Sequence, residues 1–229
     1  MDIALDSLIA ALPRRFSHRR LENQPGMLLR ALVGSIENNT SLNPAGLFEW
    51  STMLDQAEQE FIGHTQRVTR LTLKLARYMG LPESEMHAIS HGAILHDIGK
   101  MDIPRRILLK PGPLTAAEWK IMRRHPVIAY KLLSRIPSLH PARDIPYYHH
   151  EKWDGSGYPQ QVSGEAIPLS ARIFSIIDVL DALISDRPYR TAWPVEQALE
   201  YIRLENGRHF DPQVSEAFLQ LIETGSIRA

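Results

Sequence analysis

His96 and Asp97 lie in the stretch GAILHDIGK, residues 92–100, directly behind Ala93, Ile94 and Leu95 and ahead of Lys100. The apolar run directs the segment towards a core. A carboxylate is costly there unless it is paired or bound to a metal, and a histidine needs hydrogen-bond partners. Taken alone, the stretch favours an ordinary ion pair between Asp97 and Lys100, three residues apart on one helical face. Other ionisable residues share the same apolar helical setting: Glu60, His64, His125, His149, His150 and Asp178. Each has an ordinary explanation by itself. A helical histidine can be a core residue with one hydrogen bond, the HH pair can be the polar end of a helix, and Asp178 can pair with Arg172 or Arg187.

Together these residues supply the density of imidazole and carboxylate, without thiolate, that a multinuclear metal site needs. Neighbours on a helix diverge by roughly 100°, so His96 and Asp97 do not chelate side by side. They reach two different centres, or Asp97 bridges two ions while His96 holds one. A bridged pair clamps the attacking and leaving oxygens of a phosphoryl displacement. Glu60 and His64, four apart in EFIGH, share one helical face one turn apart and can chelate a single further ion. The alternative is that Glu60 is one more surface acid of the stretch DQAEQE.

The bulk of the chain narrows the choice. Its 229 residues suffice for one large domain, or one domain and a small appendage. Lysine plus arginine equal aspartate plus glutamate at 26 each, so no net basic field points to DNA or RNA. No apolar run reaches the roughly 18 residues of a membrane span. The N-terminal MDIALDSLIAALPRRF has its acids before the apolar run and its arginines after it, the reverse of a secretory signal, so a cytoplasmic location is expected. Cysteine is absent, which excludes disulfides and thiolate metal sites. Any ion must be held by histidine and carboxylate, and such ligands suit iron, manganese, nickel or zinc.

The pattern that must position these groups is helical nearly throughout. IALDSLIAAL and MLLRALVGSI read as two short amphipathic helices, and NNTSLNPAG as a loop. Val68, Leu71, Leu75 and Met79 recur at helical spacing up to Gly80. A helix through ESEMHAISHGAILHD follows, then a proline-punctuated loop, IPRRILLKPGP. Thr115 and Glu118 form a capping box for the next helix. PVIAYKLLSRI reads as another helix, and ARDIPYYHHE as a short one. KWDGSGYPQQVSGEAIP cannot be a regular element. LSARIFSIIDVLDALIS is apolar all round and predicts a central buried helix. PVEQALEYIRLENG and DPQVSEAFLQLIE close the fold as amphipathic helices.

The strings HTQRV, HDIGK, IP…ILLKPGPLT, HP, HHEKWDGSGYP, IPLSARI, DVLDAL and RPYR occur in the order and spacing of the HD-GYP domain, and the sequence resembles that family from about residue 60 to 220. The resemblance implies an all-α, HD-type helical bundle over 56–229, preceded by a short helical segment, 1–55, of unknown role. It implies a bacterial signalling enzyme that hydrolyses cyclic di-GMP with two or three divalent ions, iron or manganese before nickel or zinc. The ligands carried over by position are His64, His96, Asp97, His125, His149, His150 and Asp178, with Asp97 as the bridge and Glu60 as the extra acid of a three-metal form. Lys100 would stand beside the scissile phosphate, Arg187 and Arg190 would hold phosphate groups, and Gly157, Tyr158 and Pro159 would form a loop beside the site. A GGDEF-type cyclase is an implied partner. Two other readings stay open, a weakly catalytic binding module and a hydrolase of another cyclic dinucleotide. The sequence departs from the family pattern at Gln161, where glycine is expected, and at Asp102 and Arg105.

Overall fold

The computed structural model describes residues 63–186 and 190–225, and among these described residues there are nine α-helices, joined by turns and short 3₁₀ segments. The expected N-terminal helices, Glu60 and Arg187 lie outside the described residues. Among those that are described there is no named strand, as the all-α expectation requires. The helices are α1 (His64–Tyr78), α2 (Glu83–Ile94), α3 (Arg105–Leu108), α4 (Ala116–Met122), α5 (His125–Leu133), α6 (Asp144–Tyr148), α7 (Leu169–Ile184), α8 (Val195–Leu204) and α9 (Pro212–Glu223).

Helix α7 is the axle. Ala171, Ile173, Phe174, Ile176, Ile177 and Leu180 are buried around its whole circumference, as an all-round apolar helix must be. Against it pack Val68, Leu71 and Leu75 of α1, Ala198 and Ile202 of α8, and Val214 and Phe218 of α9. Each such side chain, taken fully out of water, contributes about 1.5–3 kcal/mol. Helix α1 stops at Gly80, whose φ of 80° is open to glycine without strain. There the Leu81 N–H reaches Ala76 O at 3.1 Å and the Gly80 N–H reaches Arg77 O at 3.0 Å, closing the orphan carbonyls of the last turn. The capping box forms at α4: Thr115 Oγ1 accepts from the Glu118 N–H while Glu118 reaches back to the Thr115 N–H.

Two expectations need correction. Helix α2 ends at Ile94 and does not carry through Asp97; Leu95 leaves helical geometry with ψ near 10°, and Ile98–Asp102 continue as a 3₁₀ turn. The loop expected over IPRRILLKPGP contains the short helix α3, entered from Pro104. The departure at the end of α2 has a packing cause. Ile94, Leu95 and Ile98 form a second apolar cluster with Ala129, Leu132 and Leu133 of α5 and with Ile136 and Leu139. A straight helix would carry Ile98 past that cluster.

Gly99 permits the contact between the turn and α5. A Cβ built there would lie 2.0 Å from the His125 carbonyl oxygen and 2.9 Å from the Ala129 nitrogen, both backbone atoms. Gly99→Ala is therefore expected to destabilise the protein by about 3 kcal/mol or more, a fall of roughly 6–12 °C in melting temperature for a chain of this size. A variant that melts within about 2 °C of the parent by calorimetry would show that the turn and α5 separate freely.

Candidate metal centre

The ligand candidates sit where helices begin and end. His64 opens α1, His96 and Asp97 follow α2, His125 opens α5, and His149 and His150 follow α6, while Asp178 projects from the middle of α7. The HH pair is not a solvated helix end: His149 is 2 % exposed. Their donor atoms fall into two groups, each drawn within 4.8 Å: Asp97, His125, His149 and His150 in one, and His64, His96 and Asp178 in the other.

Four of the imidazoles are oriented in the same way. His96 Nδ1 donates to Ala93 O at 2.8 Å, and His125 Nδ1 to Met122 O at 2.9 Å. His149 Nδ1 lies 3.1 Å from Ile145 O and 3.2 Å from Pro146 O. His64 Nδ1 lies 2.8 Å from Asp181 Oδ2. A carbonyl or carboxylate on Nδ1 fixes the ring and leaves Nε2 for a metal. Accordingly His64 Nε2 faces Asp178 Oδ1 at 3.5 Å. His96 Nε2 faces Asp97 Oδ2 at 3.1 Å, and His125 Nε2 faces Asp97 Oδ1 at 3.3 Å.

Asp97 thus turns one oxygen to each group. His96 Nε2 and Asp97 Oδ1 are both buried without a hydrogen bond of acceptable geometry, an arrangement that is costly in an interior unless a cation completes it. Lys100 Nζ lies 2.8 Å from Asp97 Oδ2, so the ion pair suggested by the bare sequence is present inside the constellation. Burial would raise the Asp97 carboxyl, but Lys100 and His96 hold it well below the usual range. Burial opposes a charge on His96, yet the adjacent Asp97 lifts its imidazole to about 10, and an ion entering there must displace that proton. Burial pushes His125 down to about 3 and His149 to about 4, so both are neutral and ready to ligate near pH 7. Imidazole and carboxylate donors without thiolate fit first-row divalent cations.

The expected loop lies beside the first group. The Tyr158 ring stacks on His150, with centroids 4.7 Å apart, and the Tyr158 N–H donates to His150 O at 3.1 Å. The Tyr158–Pro159 bond is cis. A Cβ on Gly157 would lie 2.5 Å from His150 O and from Glu151 Cα, so only glycine lets the loop lie this close. Gln161, at the expected glycine, adopts a φ of 58°. The Arg190 guanidinium is bound to the carbonyls of Ala182 and Leu183 at the end of α7. Glu60 and Arg187 are outside the described residues.

Two acids escaped the sequence reading. Asp181, 3 % exposed, holds His64 and also accepts from Arg67 Nε at 2.7 Å and Nη2 at 2.9 Å. Burial alone would raise its carboxyl, but the bonds from His64 and Arg67 bring it to about 2. A second acid three residues after Asp178 in an otherwise apolar helix was the available signal. Glu151, 2 % exposed, accepts the backbone N–H groups of Gln160 and Gln161 and so ties down the far side of the Tyr158 loop.

Residues 50–214 match the HD domain family. The chain is 46 % identical over 157 residues to the cyclic di-GMP phosphodiesterase response regulator RpfG of Xanthomonas campestris pv. campestris, covering 68 % of this chain and 42 % of that protein. It is 41 % identical over 176 residues to the 3′3′-cGAMP-specific phosphodiesterase 2 of Vibrio cholerae, covering 76 % of this chain and 34 % of that protein. The chain thus spans less than half the length of these curated relatives. A crystal structure of a cyclic GMP-AMP-specific phosphodiesterase of V. cholerae, V-cGAP3, superposes with a TM-score of 0.61 at 21 % identity, over 80 % of this chain and 49 % of that one. It shares the fold.

Because Asp181 sets the ring of His64, Asp181→Asn is expected to weaken metal binding at the His64, His96 and Asp178 group by about 10- to 100-fold and to leave the other group filled. Metal titration followed by elemental analysis checks this. Unchanged affinity at both groups would show that His64 needs no such anchor.

Proposed function

The chain belongs to the HD domain family, and we propose that within it the protein is a metal-dependent phosphodiesterase that hydrolyses cyclic di-GMP to pGpG and then GMP. The observation that carries the reading is the Asp97 carboxylate, with one oxygen towards each of two donor groups. Ions held there, iron or manganese before nickel or zinc, would polarise the phosphoryl group and activate the attacking water. Asp97 would serve as the shared ligand, with His125, His149 and His150 holding an ion on one side and His64, His96 and Asp178 on the other.

Lys100, beside the Asp97 carboxylate, is placed to offset charge gathering on the non-bridging phosphate oxygens. Tyr158 covers His150 and narrows the approach, with Gly157 and Pro159 setting its position. Arg187 and Arg190 are assigned to the phosphates of the substrate, a contact for which Arg190 must leave the carbonyls of α7. Glu60 with His64 is assigned to a third, more weakly held ion. Residues 1–55 are taken as a separate helical segment and 56–229 as the catalytic domain. A cytoplasmic site of action agrees with the absence of any described helix long and apolar enough to cross a membrane, and a GGDEF-type cyclase is a partner to seek. The relative specific for 3′3′-cGAMP supports a second reading, in which the same chemistry serves that dinucleotide.

Protein purified without chelator is expected to hold metal and to convert cyclic di-GMP in a chromatographic assay, with 3′3′-cGAMP run in parallel. A preparation that binds cyclic di-GMP but cleaves neither would favour a binding module. Asp97→Ala is expected to lose metal and at least about 100-fold in turnover, and full turnover with metals retained would remove it as the bridge. Lys100→Ala is expected to lose about 10²–10³-fold in turnover with the metals still bound. A large fall in melting temperature with unchanged turnover would reduce Lys100 to the ion pair.

A further inference from the structure

A chain of ring contacts leads outward from the metal centre. His150 stacks on Tyr158 at 4.7 Å, the Arg123 Cζ lies 5.3 Å from the Tyr158 centroid, and it lies 5.8 Å from the centroid of Trp119. Arg123 is exposed, and Trp119, one turn earlier, is 45 % exposed. Helix α4, which carries Trp119, buries no residue of its own; it is held from its N-terminus, where Lys110 pairs with Glu118 of the capping box at 2.6 Å. No side-chain hydrogen bond or ion pair occupies the Arg123 guanidinium among the described residues; its recorded contacts are the two aromatic faces. Stacking on those faces orients the planar group while its N–H edge stays available for bidentate bonds.

We propose that Arg123 is a specificity-determining residue that reads a guanine of the bound dinucleotide. This rests on the cyclic-dinucleotide reading of the metal centre. The scissile phosphate must sit against the donor groups around Asp97. Arg123 is one aromatic layer further out, beyond Tyr158, at the remove where a nucleobase attached to that phosphate would lie. The exposed Trp119 offers a face for stacking, a sequence-tolerant interaction of bases. Arginine carries donors only. The O6 and N7 of guanine are two adjacent acceptors that match the fork, whereas the same edge of adenine presents N7 and an amino donor. The pair therefore favours guanine over adenine, and it distinguishes cyclic di-GMP from cyclic di-AMP.

Calorimetric binding of cyclic di-GMP and cyclic di-AMP to the metal-loaded protein, with Arg123→Ala and Arg123→Lys beside it, tests this whether or not either ligand is cleaved. Arg123→Ala is expected to weaken cyclic di-GMP binding by roughly 5- to 100-fold and to change cyclic di-AMP binding less than about twofold, with metal content and melting temperature retained. Arg123→Lys should recover only part of the loss, because a point charge cannot make both bonds. Equal losses for the two dinucleotides would assign Arg123 to a phosphate and overturn the base contact. Unchanged cyclic di-GMP affinity, or no binding by the parent protein, would also overturn it. Binding without hydrolysis by the parent would instead sink the phosphodiesterase reading and leave the base contact standing on the affinity ratio.

Discussion

Everything near the centre depends on the second nitrogen of each histidine. An imidazole offers two nitrogens, and a metal site is fixed only when one is committed elsewhere. Here His96, His125 and His149 commit Nδ1 to carbonyls three or four residues earlier in the chain. The backbone that places each residue therefore also aims it. His64 is the exception. Its Nδ1 meets the Asp181 carboxylate, which the fold supplies from α7. The rings must then converge on a charged group, and a half-buried Asp97 meets that requirement only with cations around it.

Helix ends deliver six of the seven candidate ligands, and α7 determines where those ends meet. Phe174 lies one turn before Asp178 on that helix, 4.9 Å from the His96 ring and 6.0 Å from the His149 ring. The helix that buries the core thus also makes the apolar floor of the centre and supplies Asp178 and Asp181. Apolar walls around imidazoles suppress their protonation, and this is the first cause of the low values at His125 and His149. Core and site share one element, so packing faults in α7 reach the ligands directly.

How much of this could be read from the chain follows from the physics of each feature. The buried character of α7, the stop at Gly80 and the capping box at Thr115 are local signals, and all three appear as the sequence suggests. The ligand residues stood out because charged and imidazole groups in apolar runs are anomalous, and the structure draws seven of them into two groups. The end of α2 was not legible. Residues 92–98 are compatible with a helix, and only contact with α5 turns the chain. Nor was the role of Asp181, which exists only because α1 and α7 lie side by side. Arg190 shows a third kind of limit, since the sequence marks a cation but not which acceptors it will find. Gln161, where the family pattern has glycine, takes a left-handed φ of 58°, a conformation that favours glycine.

The close approach at Gly99 has a consequence for how the centre is prepared. With its α-carbon against the His125 carbonyl, the 3₁₀ turn and the first turn of α5 form one mechanical body. His96, Asp97, Lys100 and His125 come from two segments of chain, yet they cannot wander independently. Ordering such segments costs about 1–2 kcal/mol for each backbone residue fixed. In this fold the second apolar cluster, which joins the two segments, offsets part of that cost. The centre is preorganised, and the free energy of ligation is left for the bonds themselves.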